Sequence, residues 1–131
     1  MANGGCHCGT VRYSVEGEPK HSSVCHCVDC RRTTGALTTG WIGFPSEGFT
    51  VEGETRVYNS SEGVDRHFCA ACGTSLFYFN EALMPGVVDI LTPTLDDPDS
   101  YAPGAHVNMA DAIAWEAGLE ELPKFERFPG Q

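Results

Sequence analysis

Short apolar or alternating segments run through most of the chain and are broken at close intervals by Gly, Pro and Ser. Segment 10–15 (Thr-Val-Arg-Tyr-Ser-Val) shows the period of two and the β-branched and aromatic content that are typical of a strand. The other predicted strands cover residues 21–24, 36–44, 49–52, 56–59, 64–68, 75–79 and 87–91. Many short strands with frequent turns predict a mainly β protein, built as a sheet sandwich or open barrel.

Helix signals are few. Residues 28–34 form the best candidate for a short helix, which Gly35 would end. The segment 92–104 contains three prolines and several Asp residues, which predicts a loop, and the tail 111–131 allows one short helical turn near Trp115. No repeat or linker divides the chain, so one domain over residues 1–131 is expected.

Aromatic residues recur along the predicted strands, where packing on a pleated sheet is the expected role. None of the group is predicted to contact substrate, and Trp41 and Phe79 are the first candidates if one does. The group comprises Trp41, Phe44, Phe49, Tyr58, Phe68, Phe77, Tyr78 and Phe79.

The composition of the chain limits which kinds of molecule the protein is expected to bind. The 131 residues carry 8 Lys and Arg against 18 Asp and Glu, a formal net charge of −10. Nucleic acid is therefore an unexpected partner, because phosphate binding depends on basic side chains. The longest strongly apolar stretch, residues 87–91, is too short for the roughly 20 residues of a membrane span. The N-terminus lacks a basic and apolar leader, so we expect a cytoplasmic protein with reduced cysteines.

Seven cysteines are the unusual component, and two Gly-framed pairs contain four of them. Cys6 and Cys8 lie in Gly-Gly-Cys-His-Cys-Gly, and Cys69 and Cys72 in Phe-Cys-Ala-Ala-Cys-Gly. A glycine after the second cysteine permits a left-handed backbone and lets N–H groups turn toward the thiolates. The residues after Cys72 resemble a strand, whereas a redox C-x-x-C motif usually begins a helix. The pairs predict one structural Zn²⁺ site with four thiolate ligands.

The other three cysteines, Cys25, Cys27 and Cys30, fall within six residues and are followed by Arg31 and Arg32. Three thiolates leave a tetrahedral ion one ligand short, which is typical of catalytic rather than structural zinc. A soft, sulfur-rich, open site favours a thiol as the fourth ligand, and the metal would hold that thiol as a thiolate nucleophile. The two arginines are candidates for binding the carboxylates of an anionic thiol.

Other interpretations of this cluster stay open. His26 or His7 could complete a closed Cys₃His site, although a histidine between two cysteines of an extended segment points away from both sulfurs. A metal-free thiol relay or an iron–sulfur ligand set are further alternatives. His21, His67 and His106 stand alone in sequence and are expected to be ordinary surface or core residues.

The cysteine motifs resemble those of the glutathione-dependent formaldehyde-activating enzyme family. The resemblance rests on G-G-C-H-C-G-x-V-R-Y at 4–13, C-H-C-x-x-C-R-R-x-x-G-A at 25–36, S-S-E-G-V-D-R-H-F-C-A-A-C-G-T-S-L at 60–76 and T-L-D-D-P at 94–98. It implies an Mss4-like zinc-bound β fold with one or two short helices. It also implies a structural zinc at Cys6, Cys8, Cys69 and Cys72 and a catalytic zinc at Cys25, Cys27 and Cys30. The implied activity is that of S-(hydroxymethyl)glutathione synthase, a carbon–sulfur lyase that acts on glutathione and formaldehyde.

Three functions are compatible with these expectations. The first is a zinc-dependent carbon–sulfur lyase that joins a small thiol to a small aldehyde or releases it. The second is a non-catalytic carrier of glutathione or metal, and the third is a structural interaction module. No sequence motif indicates a binding site for the γ-glutamyl group, so glutathione is implied by the family resemblance alone.

Overall fold

The computed structural model describes residues 1–130, and its secondary structure is mainly β. Its strands are β1 (Ala2–Gly5), β2 (Arg12–Val15), β3 (His21–Cys25), β4 (Thr39–Pro45), β5 (Phe49–Glu52), β6 (Thr55–Ser61), β7 (Val64–Cys69), β8 (Ser75–Asn80), β9 (Val87–Leu91) and β10 (His106–Val107). The helix α1 covers Val28–Thr34, and short 3₁₀ turns cover Ser46–Gly48, Thr92–Thr94, Pro98–Ser100, Met109–Asp111 and Ala114–Glu121. The prediction of a mainly β fold with a short helix is confirmed.

The strands form two open sheets. The smaller sheet has the order β1-β2-β5, and the larger has the order β10-β3-β4-β9-β8-β7-β6. All neighbouring strands are antiparallel except β10, which pairs with β3 in parallel through His106 with Val24 and Val107 with Cys25. This last pairing brings a late segment of the chain beside the three-cysteine motif.

The main hydrophobic core lies between the two sheets. Tyr13 of the smaller sheet packs edge-on against Phe77 of the larger one, with ring centroids 5.2 Å apart, and Phe49 packs on the same ring at 4.9 Å. Other fully buried core side chains are Val11, Val15, Ile42, Phe44, Leu76, Val88 and Ile90. A second, smaller cluster joins Cys25, Cys30, Trp41 and Leu91. The larger sheet therefore supports both the core and the second cysteine motif.

Three features differ from the sequence-based expectations. Strands β1 and β10 were not predicted, because Ala-Asn-Gly-Gly and a two-residue strand carry no β-propensity signal. The 92–104 segment contains two 3₁₀ turns rather than an unbroken loop. Tyr58, expected in the core, is 55% exposed because it lies on β6, an edge strand of the larger sheet.

Helix α1 has the predicted bounds, and its caps explain them. The Cys27 sulfur accepts a hydrogen bond from the Cys30 N–H at the first turn, while Gly35 ends the helix with φ +73°. No helix within residues 1–130 is both long enough and apolar enough to cross a membrane.

Candidate metal centres

The four-sulfur centre brings together the loop after β1 and the turn between β7 and β8. The sulfurs of Cys6, Cys8, Cys69 and Cys72 all lie within 4.8 Å of one another. The Sγ–Sγ distances are 3.6 Å for Cys6–Cys8 and 3.9 Å for Cys8–Cys69. Four sulfurs about 2.3 Å from a tetrahedral Zn²⁺ would be about 3.8 Å apart. The geometry fits a four-coordinate ion.

Hydrogen-bond donors surround these sulfurs. The Val11 N–H donates to Cys6 Sγ at 3.2 Å, and the N–H groups of Ala71 and Cys72 point at Cys69 Sγ at 3.4 Å. The Thr74 hydroxyl and backbone N–H lower the pKa of the Cys72 thiol to about 5. Such donors offset the negative charge of a thiolate cluster and prepare it for a cation.

Gly73 has φ +81°, which is the left-handed conformation that the motif predicts for the residue after Cys72. The Gly73 N–H donates to the Cys69 carbonyl at 2.9 Å, which closes the turn. Cys69 is fully buried and Cys6 is 8% exposed, so these two cysteines belong to the main core, whereas Cys8 and Cys72 are exposed.

The three-sulfur centre lies where β3 ends and α1 begins. The sulfurs of Cys25, Cys27 and Cys30 lie within 4.8 Å of one another, and Cys25 and Cys30 are each 6% exposed. Among residues 1–130, the cluster contains these three sulfurs and no fourth His, Cys, Asp or Glu. The fold therefore brings together the three sulfurs for which the sequence predicts an under-coordinated metal site.

Each of the three sulfurs faces an N–H donor from a different place in the chain. The Cys30 backbone N–H lies 3.2 Å from Cys27 Sγ, and the Asn108 amide nitrogen lies 3.2 Å from Cys25 Sγ. The Arg66 guanidinium of β7 faces Cys30 Sγ, with its two terminal nitrogens at 3.8 and 3.9 Å. Sequence reasoning missed Arg66 and Asn108, because neither lies near the motif in sequence.

Burial and the Cys30 thiol raise the pKa of the Cys27 thiol to about 12. Burial also opposes ionisation of Cys25, yet hydrogen bonds from the Cys27 backbone and Asn108 hold its pKa below the ordinary value. Three clustered thiols cannot all ionise without a compensating cation, and a thiol that coordinates a divalent ion is deprotonated outright. The donor set thus fits a soft divalent metal such as zinc.

His26, between two of the ligands, is fully buried and points away from the sulfurs. Its Nδ1 lies 2.8 Å from the Glu116 carboxylate, and its Nε2 lies 3.0 Å from His106 Nδ1. Both ring nitrogens are engaged, so His26 does not complete the ligand set. His106, predicted as an ordinary surface or core residue, is exposed and extends this chain of polar contacts. His7 is exposed at the other centre.

A cavity of about 420 Å³ opens beside the three sulfurs. Trp41 and Tyr78 form part of its wall, with ring centroids 5.7 Å apart, and Arg66 stacks over Tyr78 at 4.9 Å. The cavity has the size of a small-molecule site. Trp41 therefore lies at the cavity, whereas Phe79 packs against the main core.

His21 and Asp89 also line this cavity and contact each other, with 2.6 Å between Nε2 and Oδ1. The contact passes over Gly43, where an added Cβ would lie 2.5 Å from His21 Nε2. The hydrogen bond to Asp89 raises the pKa of His21. His21, predicted as an ordinary surface or core residue, is thus paired with Asp89 at the wall of the cavity. No local sequence pattern indicates a pair that spans three strands.

Arg31 and Arg32 do not line the cavity beside the sulfurs. Arg31 donates a hydrogen bond from Nη2 to the Asp111 carbonyl at 3.2 Å. Arg32 instead lines a neighbouring cavity of about 470 Å³, which also has Trp41 and Arg66 in its wall. Arg66 and Trp41 border both spaces.

The comparisons with known proteins point to one family. The family model of the glutathione-dependent formaldehyde-activating enzyme matches residues 1–111. A Halomonas elongata protein, provisionally named a glutathione-dependent formaldehyde-activating enzyme, is 31% identical over 91 residues, which cover 61% of this chain and 57% of that protein. An Aspergillus flavus protein with the same provisional name is 24% identical over 114 residues, covering 85% of this chain and 53% of that protein.

The chain therefore spans little more than half the length of these curated relatives. A Rhodobacter sphaeroides protein of known crystal structure shares the fold with a TM-score of 0.64 and 22% identity, covering 80% of this chain and 99% of that one. Since the family match covers residues 1–111 of 131, the chain belongs to the glutathione-dependent formaldehyde-activating enzyme family.

Proposed function

We propose that the protein is a zinc-dependent carbon–sulfur lyase of the S-(hydroxymethyl)glutathione synthase type. A structural zinc would be held by Cys6, Cys8, Cys69 and Cys72, and a catalytic zinc by Cys25, Cys27 and Cys30. The observation that carries the proposal is the three-sulfur cluster, which has no fourth ligand within residues 1–130 and adjoins a cavity of about 420 Å³.

Coordination chemistry links this observation to a thiol substrate. Closed structural zinc sites have four protein ligands, whereas catalytic sites have three and leave a position for water or substrate. A zinc ion bound here would supply Lewis acidity that stabilises a substrate thiolate. In the reaction, the thiol sulfur loses its proton and forms a bond to the aldehyde carbon, while the carbon–oxygen π bond breaks and the aldehyde oxygen takes up the proton.

The protein's own residues would orient the thiol. Trp41 and Tyr78 provide an apolar wall, and Arg66 places a positive charge beside Cys30 Sγ. Arg66 is 9% exposed, and Ser60 Oγ and Thr33 Oγ1 accept hydrogen bonds from its Nε and Nη1. A guanidinium held from two sides is a fixed charge, which is suited to orienting a carboxylate-bearing thiol.

An anionic thiol such as glutathione is favoured by the neighbouring 470 Å³ cavity. Its described lining includes Arg32, Arg66 and several hydroxyl groups but no Asp or Glu, in a chain of net charge −10. We propose that Arg32 and Arg66 contact the carboxylates of glutathione. A contact with Arg31 stays a prediction, because its guanidinium is turned toward Asp111. A cytoplasmic location is part of the proposal, since glutathione and free thiolates require a reducing compartment.

Exchange spectroscopy of glutathione and formaldehyde tests the proposal, because it measures the rate of adduct formation at equilibrium. The zinc-loaded protein should accelerate exchange, and Cys27→Ser should abolish the acceleration and remove one of two zinc ions per chain. Ser100→Ala, at an exposed position outside both cavities, should leave both values unchanged. The proposal fails if the purified protein binds one zinc and Cys27→Ser leaves that stoichiometry unaltered.

A glutathione carrier is the second candidate function, and one observation favours it. His21 and Asp89, two titratable side chains of the cavity, are engaged with each other rather than free for proton transfer. A carrier predicts saturable glutathione binding, dependent on Cys27, with no acceleration of exchange.

A further inference from the structure

Asn108 is the residue other than glycine with a left-handed backbone among residues 1–130, at φ +57° and ψ +40°. Side chains with a Cβ disfavour this conformation, and Asn tolerates it better than most. Strained residues of this kind persist where the surrounding structure determines them, and they gather at functional sites. The left-handed backbone of Asn108 therefore requires a physical explanation.

Contacts on both sides of Asn108 hold its backbone in place. Before it, β10 is fixed to β3 by hydrogen bonds from Val24 N–H to the Ala105 carbonyl at 2.9 Å and from His26 N–H to the Val107 carbonyl at 3.1 Å. After it, the Asp111 N–H donates to the Asn108 carbonyl, and Arg31 donates to the Asp111 carbonyl. The backbone turn at Asn108 is thus anchored to the three-cysteine motif at both ends.

The turn directs the amide at a sulfur. Asn108 Nδ2 lies 3.2 Å from Cys25 Sγ, and a thiolate can only accept, so the amide nitrogen is the donor. Cys25 Sγ is at the wall of the cavity, and Asn108 lines the same cavity. Three thiolates and one divalent ion carry a net charge of −1, which a fixed donor helps to offset.

We propose that Asn108 is a positioning residue of the second metal centre, which holds Cys25 Sγ as a ligand through this hydrogen bond. The left-handed backbone is the device that brings the amide to the sulfur. The proposal rests on metal binding at Cys25, Cys27 and Cys30 and not on carbon–sulfur chemistry, so a carrier would need Asn108 equally.

Asn108→Gly separates the side chain from the backbone, because glycine accepts a positive φ without strain. With metal at the four-sulfur centre alone, this variant should keep the wild-type melting temperature and the wild-type affinity of that centre. Its second centre should lose about 10- to 100-fold in Co²⁺ or Zn²⁺ affinity, the usual effect of removing an outer hydrogen bond to a ligand. The sulfur-to-cobalt charge-transfer band of that centre should also shift, which a purely structural role would not cause.

Asn108→Asp is the matched variant, since it keeps the size and backbone preference but replaces the donor with an anion. It should weaken the second centre at least as much as glycine does. Wild-type affinity and spectrum in Asn108→Gly would overturn the proposal, and so would an equal loss of affinity at both centres. If the wild-type chain binds one metal, the second centre and this proposal fail together; if it binds two and Asn108→Gly is unchanged, this proposal alone fails.

Discussion

The two cysteine centres of this molecule are built from the same ligand atom but differ in what surrounds it. The four-sulfur centre joins two distant turns, and its Cys69 is a fully buried member of the main core. The three-sulfur centre is local in sequence, lies at the end of the larger sheet and adjoins a cavity. The four sulfurs of the first centre could fill a tetrahedral coordination shell, and two of them belong to the core. The three sulfurs of the second would leave one position open beside a space large enough for a small molecule.

The difference between the two centres predicts that one governs stability and the other chemistry. A metal held by Cys6, Cys8, Cys69 and Cys72 would tie the smaller sheet to the β7–β8 turn, so its loss would release long-range contacts. A metal at residues 25–30 would bind to a segment that β4, α1 and the late chain already hold. We therefore expect the first centre to govern folding and the second to govern ligand binding.

The largest difference should follow from removing one ligand at each centre. Cys69→Ser should lose the first metal and unfold the domain, because structural zinc contributes about 10–16 kcal/mol to small zinc-dependent folds and a domain is stable by only about 5–15 kcal/mol. Cys30→Ser should lose the second metal and keep the fold. Circular dichroism and zinc content per chain measure both outcomes. A folded Cys69→Ser protein with both metals would contradict the comparison.

Arg66 tests whether the open centre uses a fixed charge from the sheet. Arg66→Lys keeps the charge but cannot contact Ser60, Thr33 and Cys30 together, so glutathione affinity should fall about tenfold or more. Calorimetric titration of the zinc-loaded protein measures the change. Arg56→Lys, on the exposed face of β6, is the matched control and should bind glutathione as the wild type does. Equal affinities in the two variants would exclude this role.

Glu116 tests whether its contact with His26, the residue between Cys25 and Cys27, stabilises the fold. Glu116→Ala leaves His26 Nδ1 buried without its partner, at a cost of about 1–3 kcal/mol in the free energy of unfolding. Chemical denaturation measures this loss. Glu120→Ala removes a carboxylate from the same 3₁₀ segment, where the side chain is 86% exposed, and should change stability little. The same loss in both variants would show that the Glu116–His26 contact is not responsible.

The smallest expected effect is the pH dependence of the His21–Asp89 pair. Asp89 raises the pKa of His21 above its ordinary value of 6.5, so the protonated pair stabilises the fold. This contribution is complete below about pH 6.5 and is lost as the pH rises through the raised pKa. His21→Gln should therefore lower stability by about 1 kcal/mol or less at pH 6 and by less at pH 9. A stability difference that grows with pH would contradict this sign.

The features that the sequence predicted are those that depend on neighbouring residues. The bounds of α1 follow from a capping sulfur and from Gly35, both of which are local signals. The division of the cysteines into sets of four and three follows from their spacing and from the glycines around them, and the sulfurs meet as expected.

The features that the sequence did not predict depend on contacts between distant segments. Arg66 is 36 residues from Cys30, and Asn108 is 83 residues from Cys25. Their roles follow from strand order and from a two-residue parallel pairing, which no propensity or period reveals. The sequence predicts Arg31 and Arg32 as substrate contacts because they follow Cys30. A helix directs consecutive side chains to different sides, however, and neither arginine lines the cavity next to the sulfurs.

Cobalt substitution with and without glutathione tests most directly whether one centre is closed and the other open. We expect two Co²⁺ ions per wild-type chain and one in Cys27→Ser, so that subtraction isolates the spectrum of the second centre. Saturating glutathione should add a sulfur-to-cobalt charge-transfer band to that spectrum and leave the Cys27→Ser spectrum unchanged. One ion per wild-type chain, or a second-centre spectrum that glutathione does not alter, would contradict the open-site interpretation.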